Sequence, residues 1–267
     1  MEKIIIPFEN HSYFYNLEKE KVAFITMDVD WASDEVLKWT FDWFIENEIS
    51  ITAFATHNSI ELKKHENNPF IEIAIHPNFS KTLDPQKKVE ELLTFYPNSV
   101  GSRSHRNIVG RDYLDILYDN GLNYDSSKLL WRAPNLQIYP LYNGMLDIPY
   151  NWEDGVHLEL NESNEINALE FDFQGLRIFN IHPVLFFLDY QNFDQLKGFT
   201  SKYSDLAKVP FCDFLNAKSN IKGIGSYSKE LFLALKSLGY KFHLYNEIVK
   251  PASIKMQEIR LNNNYWY

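Results

Sequence analysis

The sequence contains a single cysteine, Cys212, among its 267 residues. One cysteine cannot form an intramolecular disulfide, and it cannot build a thiolate metal site by itself. Any metal site in this chain must therefore use nitrogen and oxygen ligands from histidine, carboxylate or amide side chains.

The sequence also lacks a long apolar run and an excess of positive charge. No stretch approaches the ~20 apolar residues that span a membrane, and the first apolar run ends at Pro7, too early for a signal-peptide core. We therefore predict a cytoplasmic protein without a transmembrane segment. The 26 Lys and Arg residues against 36 Asp and Glu give a net charge of -10, so nucleic acid is a poor candidate partner. Nothing in the pattern indicates an oligomeric state.

The sequence does contain an alternation of strand-like and helix-like segments. Apolar runs at 21–30, 49–56 and 70–75 predict buried strands, and the helical spacing of 33–48 and 85–96 predicts helices between and after them. Further short strands are predicted at 98–105, 123–127, 146–152, 169–173, 176–182 and 240–246, with helices at 110–121 and 228–239. This alternation predicts an α/β fold with a parallel sheet, open or closed into a barrel. No linker or repeat interrupts it, so we expect one domain over residues 1–267.

Groups that can ionise or bind metal stand at the ends of many of these strands. They are Asp28, Asp30, His76, Asn78, Arg103, His105, Asp125, Asp147 and His182, with Trp152 beside them. The active sites of α/β barrels lie at the carboxyl ends of the strands. The pattern therefore predicts a functional site at this edge of the sheet.

Asp28 and Asp30 in MDVDW are two residues apart and would face the same side of a regular strand. Two carboxylates so close together are costly unless a cation or a proton lies between them. One interpretation is a metal ligand beside a general base, and the other is a loop that caps the following helix. With His76, Asp30 becomes a plausible ligand pair for zinc or a similar ion. Arg103 could clamp Asp28 bidentately and keep it ionised, although a surface arginine is equally compatible with the pattern.

The order of these motifs resembles a known family. TMDVDW, a strand ending in His-Pro, SRSH, GLNYDSS, DIPYNW and NIHP follow one another between residues 21 and 248, as in the polysaccharide deacetylases of the NodB-homology group, carbohydrate esterase family 4. The resemblance implies a distorted (β/α) barrel of about seven parallel strands. It also implies one divalent metal, usually zinc, and hydrolysis of N-acetyl groups on sugars.

The resemblance assigns roles residue by residue. Asp28 would be the general base, oriented by Arg103, and Asp30 a metal ligand. His182 would be the general acid, with Asp147 as a neighbouring carboxylate that favours its charged form. Trp152, from the aspartate-tryptophan motif, and Tyr150 are the candidate substrate-binding aromatics.

One departure from the family pattern concerns the metal. The usual second motif has two histidine ligands four residues apart, but here His76 is followed at that spacing by Ser80. Two replacements lie nearby, Asn78 in the same loop and His105 at the next strand end, and His105 is the better donor. A structural role for His105 remains the alternative.

The predicted function is thus a metal-dependent deacetylase of an N-acetylated sugar, acting in surface polysaccharide biosynthesis. Two alternatives stay open from the sequence. One is an amidase or esterase with a non-sugar substrate, and the other is an inactive carbohydrate-binding relative, which the departure at Ser80 favours. The tripeptide Ile-His-Pro occurs at both His76 and His182, and we expect the first histidine to bind metal and the second to carry a proton.

Overall fold

The computed structural model describes residues 20–134, 136–171 and 176–249. The strands in this part of the chain are β1 (Val22–Asp28), β2 (Ile51–Ala55), β3 (Ile71–Ile75), β4 (Gly101–Ser102), β5 (Tyr124–Asp125), β6 (Tyr139–Pro140), β7 (Leu146–Asp147), β8 (Trp152–Glu153), β9 (Arg177–Ile181) and β10 (Lys241–Phe242). The helices are α1 (Asp34–Glu46), α2 (Ile60–Lys64), α3 (Pro85–Phe95), α4 (Arg111–Asp119), α5 (Asp154–Glu159), α6 (Pro183–Leu188), α7 (Phe193–Thr200), α8 (Phe211–Ala217) and α9 (Ile224–Ser237). Across these ranges, every helix is too short or too polar to cross a bilayer.

The strands form one mostly parallel sheet in the order β6-β7-β5-β4-β3-β2-β1-β9-β8, with β10 beside the start of β1. Among the strands of the described residues, only β6 pairs antiparallel, along β7. β1 lies at the centre and pairs in parallel with both β2 and β9. All seven of its residues are buried, as expected for a parallel strand that is covered on both faces.

The two ends of this sheet meet in one chain segment, residues 146–153, which supplies both β7 and β8. The amides of Ile148 and Tyr150 donate to the carbonyls of Asp125 and Lys128, on the β5 side. The amide of Asn151 donates to the carbonyl of Ile178 on β9. The sheet therefore curls into an incomplete, distorted barrel, with seven parallel positions when 146–153 is counted once. The predicted fold class is confirmed.

Alternate residues of β1 face two different cores. Ala23, Ile25 and Met27 pack outward in the core that also holds buried residues of α1, α6 and α9. Val22 and Phe24 pack inward with Phe54, Tyr124, Ile178 and Tyr245. The inward row continues toward the carboxyl end with Thr26 and Asp28, because side chains alternate along a strand. The interior is thus apolar at one end and polar at the other.

Some local predictions were wrong. The segment 169–173 was predicted as a strand, but its described part lies in a short helical turn, Ala168–Phe171. The strand predicted at 98–105 is confined to Gly101–Ser102, and a short helical turn, His105–Asn107, follows it. The short helices α2 and α5 to α8 were not predicted.

Candidate active site

Asp28 is the last residue of β1, and its side chain lies at the polar end of the barrel interior. Its Oδ1 accepts a hydrogen bond of 2.9 Å from Nη1 of Arg103, and its Oδ2 accepts one of 3.1 Å from Nδ2 of Asn180. The contact with Arg103 is through one guanidinium nitrogen, so the predicted bidentate clamp is wrong. Asn180 follows from the same alternation on β9, where Ile178 also faces inward.

Arg103 is fully buried, and all three of its guanidinium nitrogens donate hydrogen bonds. Nε donates to the carbonyl of Ser126 at 2.8 Å, Nη2 to its hydroxyl at 2.9 Å, and Nη1 also to Thr26. The rings of Phe54 and Tyr150 cover its two faces, with centroids 4.4 and 4.1 Å from Cζ. Such a fixed cation can hold the Asp28 carboxylate in one orientation.

Asp30 lies beyond the end of β1, in a tight turn. Asp30 and Trp31 have φ values of 42° and 59°, in the left-handed region that non-glycine residues seldom occupy. The amide of Trp31 donates to Oγ1 of Thr56 at 3.0 Å, which helps to hold the turn. The sequence suggested that regular strand geometry would bring the two aspartates together. Instead, the turn after β1 brings Asp30 into the site beside Asp28. Strained backbone of this kind is concentrated at functional sites.

The Asp30 carboxylate lies between the rings of three histidines. Its Oδ1 is 3.3 Å from Nε2 of His76 and 3.2 Å from Nδ1 of His105, and its Oδ2 is 3.5 Å from Nε2 of His182. Donor atoms of Asp30, His76 and His105 all lie within 4.8 Å of one another. Two imidazole nitrogens and a carboxylate oxygen are a ligand set that suits zinc and leaves a further position open. The residues present thus fit a catalytic divalent metal. In the described residues, Nδ1 of His76 has no hydrogen-bond partner, so it lacks the contact that usually orients a ligating ring.

Asn78, the other candidate third ligand, points elsewhere. Its Oδ1 accepts hydrogen bonds from the amide and hydroxyl of Ser80, at 3.1 and 2.7 Å. The oxygen that could bind a metal is therefore used to shape the loop after β3. The histidine cluster brings in His105 instead, at the position predicted from its place after β4.

His182 follows β9 and is paired with a carboxylate that sequence reasoning missed. Its Nδ1 is 2.6 Å from Oδ1 of Asp154, and its amide donates to Oδ2 of Asp154 at 2.7 Å. Asp154 is buried at the start of α5. The prediction that Asp147 neighbours His182 was wrong, because Asp147 ends β7 and forms an ion pair with Lys128. The only sequence signal for Asp154 was an acidic residue directly after Trp152 and Glu153, at a helix start.

The two predicted substrate-binding aromatics are both fully buried. Tyr150 covers Arg103, and its hydroxyl donates to Glu153 at 2.7 Å. Trp152 stacks on Tyr227 with ring centroids 6.0 Å apart. Neither ring offers an open face, so the prediction of a platform for sugar stacking is not supported at these positions.

Burial and charge set opposite proton states on the two sides of the cluster. Burial alone would raise the pKa of Asp28, but the positive charge of Arg103, with those of His76 and His182, reverses this and holds its pKa below the ordinary value. Burial alone would lower the pKa of His182, but the Asp154 carboxylate overcomes this and holds its pKa well above the ordinary value. An ionised carboxylate and a protonated imidazole thus face each other across Asp30. This is the arrangement that a base and an acid require.

The sequence matches the family model of WbmS-like polysaccharide deacetylases over residues 25–200. A crystal structure from Bordetella bronchiseptica, of a candidate polysaccharide deacetylase involved in O-antigen biosynthesis, superposes with a TM-score of 0.71. The two sequences are 24% identical, over 79% of this chain and 89% of that one. This similarity establishes a shared fold.

Two other structures are more distant. A peptidoglycan N-acetylglucosamine deacetylase gives a TM-score of 0.48 at 13% identity, over 88% of this chain and 90% of that one. A carbohydrate esterase family 4 pseudoenzyme from Bacillus anthracis gives 0.48 at 11% identity, over 87% and 66%. No curated protein matches the sequence.

The family match spans the whole site, from Asp28 on β1 to His182 after β9, and it agrees with the resemblance in the order of the motifs. It covers well over half of the chain, so this protein belongs to the WbmS-like family of polysaccharide deacetylases.

Proposed function

We propose that this protein is a metal-dependent hydrolase that removes an N-acetyl group from a sugar during the biosynthesis of a surface polysaccharide. The observation that carries the proposal is the Asp30, His76 and His105 cluster, flanked by the Asp28–Arg103 pair and the His182–Asp154 pair. The description of the similar Bordetella protein as involved in O-antigen biosynthesis supports the choice of pathway.

In this proposal, Asp30, His76 and His105 would hold a divalent ion, and their nitrogen and oxygen donors suit zinc. When bound, such an ion polarises the amide carbonyl and makes an attacking water more acidic. The remaining chemistry belongs to side chains of the chain itself.

Asp28 accepts the proton of the attacking water. Its Oδ2 lies 3.9 Å from Nε2 of His76, so the carboxylate reaches toward the cluster. Arg103 and Asn180 fix its orientation, and Arg103 keeps it ionised. Such a positioned base contributes about 10²–10⁴ to the rate.

His182 donates a proton from Nε2 to the departing amine nitrogen. Asp154 binds the opposite ring nitrogen, Nδ1, which leaves Nε2 directed at the cluster. Protonation matters because an amine anion is a very poor leaving group. His182 and Asp28 therefore act on opposite ends of the scissile amide.

The competing function is an inactive sugar-binding relative, which Ser80 favoured at the sequence level. His105 removes much of that support, since it supplies the nitrogen donor that position 80 lacks. A binding protein also has no need for a buried arginine that orients a carboxylate.

The deciding experiment combines metal analysis with an assay for amine release. The purified protein, dialysed against zinc and then buffer, should retain one ion per chain and release acetate from N-acetylated sugars. His105→Ala should lose most of the metal, and Asn78→Ala should keep it. Full occupancy in His105→Ala would show that the third ligand is another group. A zinc-loaded protein inactive on every N-acylated sugar, with acetyl or longer acyl groups, would favour the inactive relative.

A further inference from the structure

A cavity of about 350 Å³ opens beside the catalytic cluster. Asp30, Trp31 and His182 form one side of it. It extends away from them between α5, α6 and α7, beyond the end of β9. We call this space the side chamber, and it begins at the reacting groups and not at a separate surface.

The walls of the side chamber are largely apolar. Its apolar lining includes Val156, Val184, Leu185, Phe193, Leu196 and Leu206. The described lining outside the cluster adds the carboxylates of Glu153 and Glu159 and the hydroxyl of Thr200. Glu153 already accepts a hydrogen bond from Tyr150. The chamber thus offers few polar partners to a ligand.

The size of the side chamber does not suit an acetyl group. An apolar cavity of roughly 150 Å³ is large enough to hold benzene. The side chamber has more than twice that volume, whereas an acetyl group would place a single methyl in it. With an acetyl substrate, water would fill most of the chamber and stay in contact with its apolar side chains, which is unfavourable.

Two parts of the substrate could enter this space, the sugar or the acyl chain. A sugar carries several hydroxyl groups, and each one that is buried without a partner costs about 1–3 kcal/mol. The chamber cannot satisfy a ring of hydroxyls with the few polar atoms in its walls. An alkyl chain attached to the carbonyl carbon needs no partners, and that carbon must lie next to Asp30 and His182 during the reaction.

We propose that the side chamber binds an apolar acyl chain, about four to eight carbons long, and that the protein prefers such N-acyl groups to N-acetyl. This inference rests on the proposed metal-dependent hydrolysis of a sugar amide, and it changes the preferred acyl group from acetyl to a longer chain. The acyl carbonyl faces the cluster, the alkyl chain lies between α5 and α7, and the amino sugar remains on the open side.

The first test compares N-acetyl-, N-butyryl- and N-hexanoylglucosamine with zinc-loaded protein, by the release of free amine. Each methylene moved out of water improves binding about fourfold. We therefore expect kcat/KM to rise with chain length, by at least tenfold from acetyl to hexanoyl. A preference for acetyl would overturn the inference and leave the proposed function intact.

The second test narrows the chamber from opposite walls. Leu196→Trp on α7 and Val156→Phe on α5 should each lower the ratio of hexanoyl to acetyl kcat/KM by at least tenfold. Leu233→Trp is the matched control, because Leu233 is exposed on α9 and does not line the chamber. It should leave the ratio unchanged. An unaltered ratio in both folded chamber variants would contradict the assignment.

The third test measures binding without turnover and separates the two proposals. By calorimetry, Asp28→Asn protein should bind N-hexanoylglucosamine at least tenfold more tightly than N-acetylglucosamine. The pentyl glycoside of N-acetylglucosamine carries the same five-carbon alkyl group on the sugar side, and it should gain little. A gain for the glycoside alone would show that the chamber holds an apolar group on the sugar side. Hexanoyl binding by Asp28→Asn, together with no amide hydrolysis by the zinc-loaded wild-type protein, would refute the proposed function and not the acyl chamber.

Discussion

The ion pair between Arg103 and Asp28 provides the most direct test of how the interior is held together. Both side chains are buried, and their atoms lie 2.9 Å apart. Replacing Arg103 with Met removes the cation and keeps an apolar chain of similar length between Phe54 and Tyr150. Two side chains, those of Arg103 and Asn180, donate hydrogen bonds to Asp28, and only the bond from Asn180 would remain in this variant.

Removing one partner of a buried pair costs about 3–5 kcal/mol, because an uncompensated charge stays in the interior. Arg103→Met also leaves Ser126 and Thr26 without their donors. We therefore expect a loss of about 4 kcal/mol in the free energy of unfolding, a large part of the 5–15 kcal/mol typical of a domain. Asp28→Asn should cost less, since Arg103 keeps its other acceptors.

The double variant Arg103→Met/Asp28→Asn contains neither charge. Its loss of stability should be smaller than the sum of the two single losses by about 2 kcal/mol, as for residues in one network. Urea unfolding followed by circular dichroism, at pH 7 with a chelator present, measures all four proteins. Arg111→Met, at an exposed arginine, is the matched control and should leave the unfolding midpoint unchanged.

Additive losses, within about 0.5 kcal/mol, would refute this reasoning. They would mean that Arg103 stabilises the fold through Ser126 and the two aromatic rings, and that its charge does not compensate Asp28. Arg103 would then have no basis for keeping the proposed base ionised.

Three further predictions concern other groups of the site and its surroundings. His76→Ala should lose metal and activity together, whereas His182→Ala should keep its metal and turn over about 100-fold more slowly; metal loss in His182→Ala would reverse the two roles. Asp154→Asn removes the charge beside His182 and should lower kcat about 100-fold with full metal content, and normal turnover would show that this pair has no catalytic role. Burial raises the pKa of Asp125 from 3.8 to about 6 despite its hydrogen bonds from Ser127, so the wild-type protein loses stability as pH rises through that range. Relative to wild type, Asp125→Asn should therefore gain about 2 kcal/mol between pH 4 and pH 7, and a pH-independent difference in urea unfolding would exclude this effect.

The order of the motifs was enough to predict the fold and the centre of the site. Asp28, Arg103 and His182 lie at the ends of strands whose apolar residues are visible in the sequence, and parallel strands place their carboxyl ends at one edge. His105 was also accessible, because it follows the next strand after His76 and is the better donor. The placement of these residues at one edge needs only strand periodicity and ligand chemistry, whereas the distorted barrel and the residue roles came from the family resemblance.

The partner of His182 was not accessible in the same way. Asp147 and Asp154 stand in one short segment, and either could reach a histidine across the barrel. Which aspartate pairs with His182 depends on where the segment 146–153 stops pairing with β5 and starts pairing with β9. In the structure, Asp147 ends β7 beside Lys128, and Asp154 begins α5. That crossing is set by long-range packing, which no local pattern records.

The positions of Tyr150 and Trp152 were missed for a related reason. Large aromatics near a predicted carbohydrate site suggested a stacking platform, but both side chains point into cores. Whether an aromatic at a strand end faces the interior or the solvent depends on the neighbouring layers. Sequence alone gives the residue type and leaves this choice open.

The central place of β1 in the sheet has a consequence for how the protein is made. Ala23 on β1 pairs with Arg177 on β9, so this contact joins residues about 150 positions apart and is slow to form. At roughly 5–20 residues per second, β1 waits about 8–30 s on the ribosome for its second partner. β1, β2 and β3 emerge long before then, and one edge of β1 stays unpaired with its apolar residues exposed. Such an edge is a template for pairing with other chains. A chain that stops before β9 should therefore aggregate more readily than the full chain.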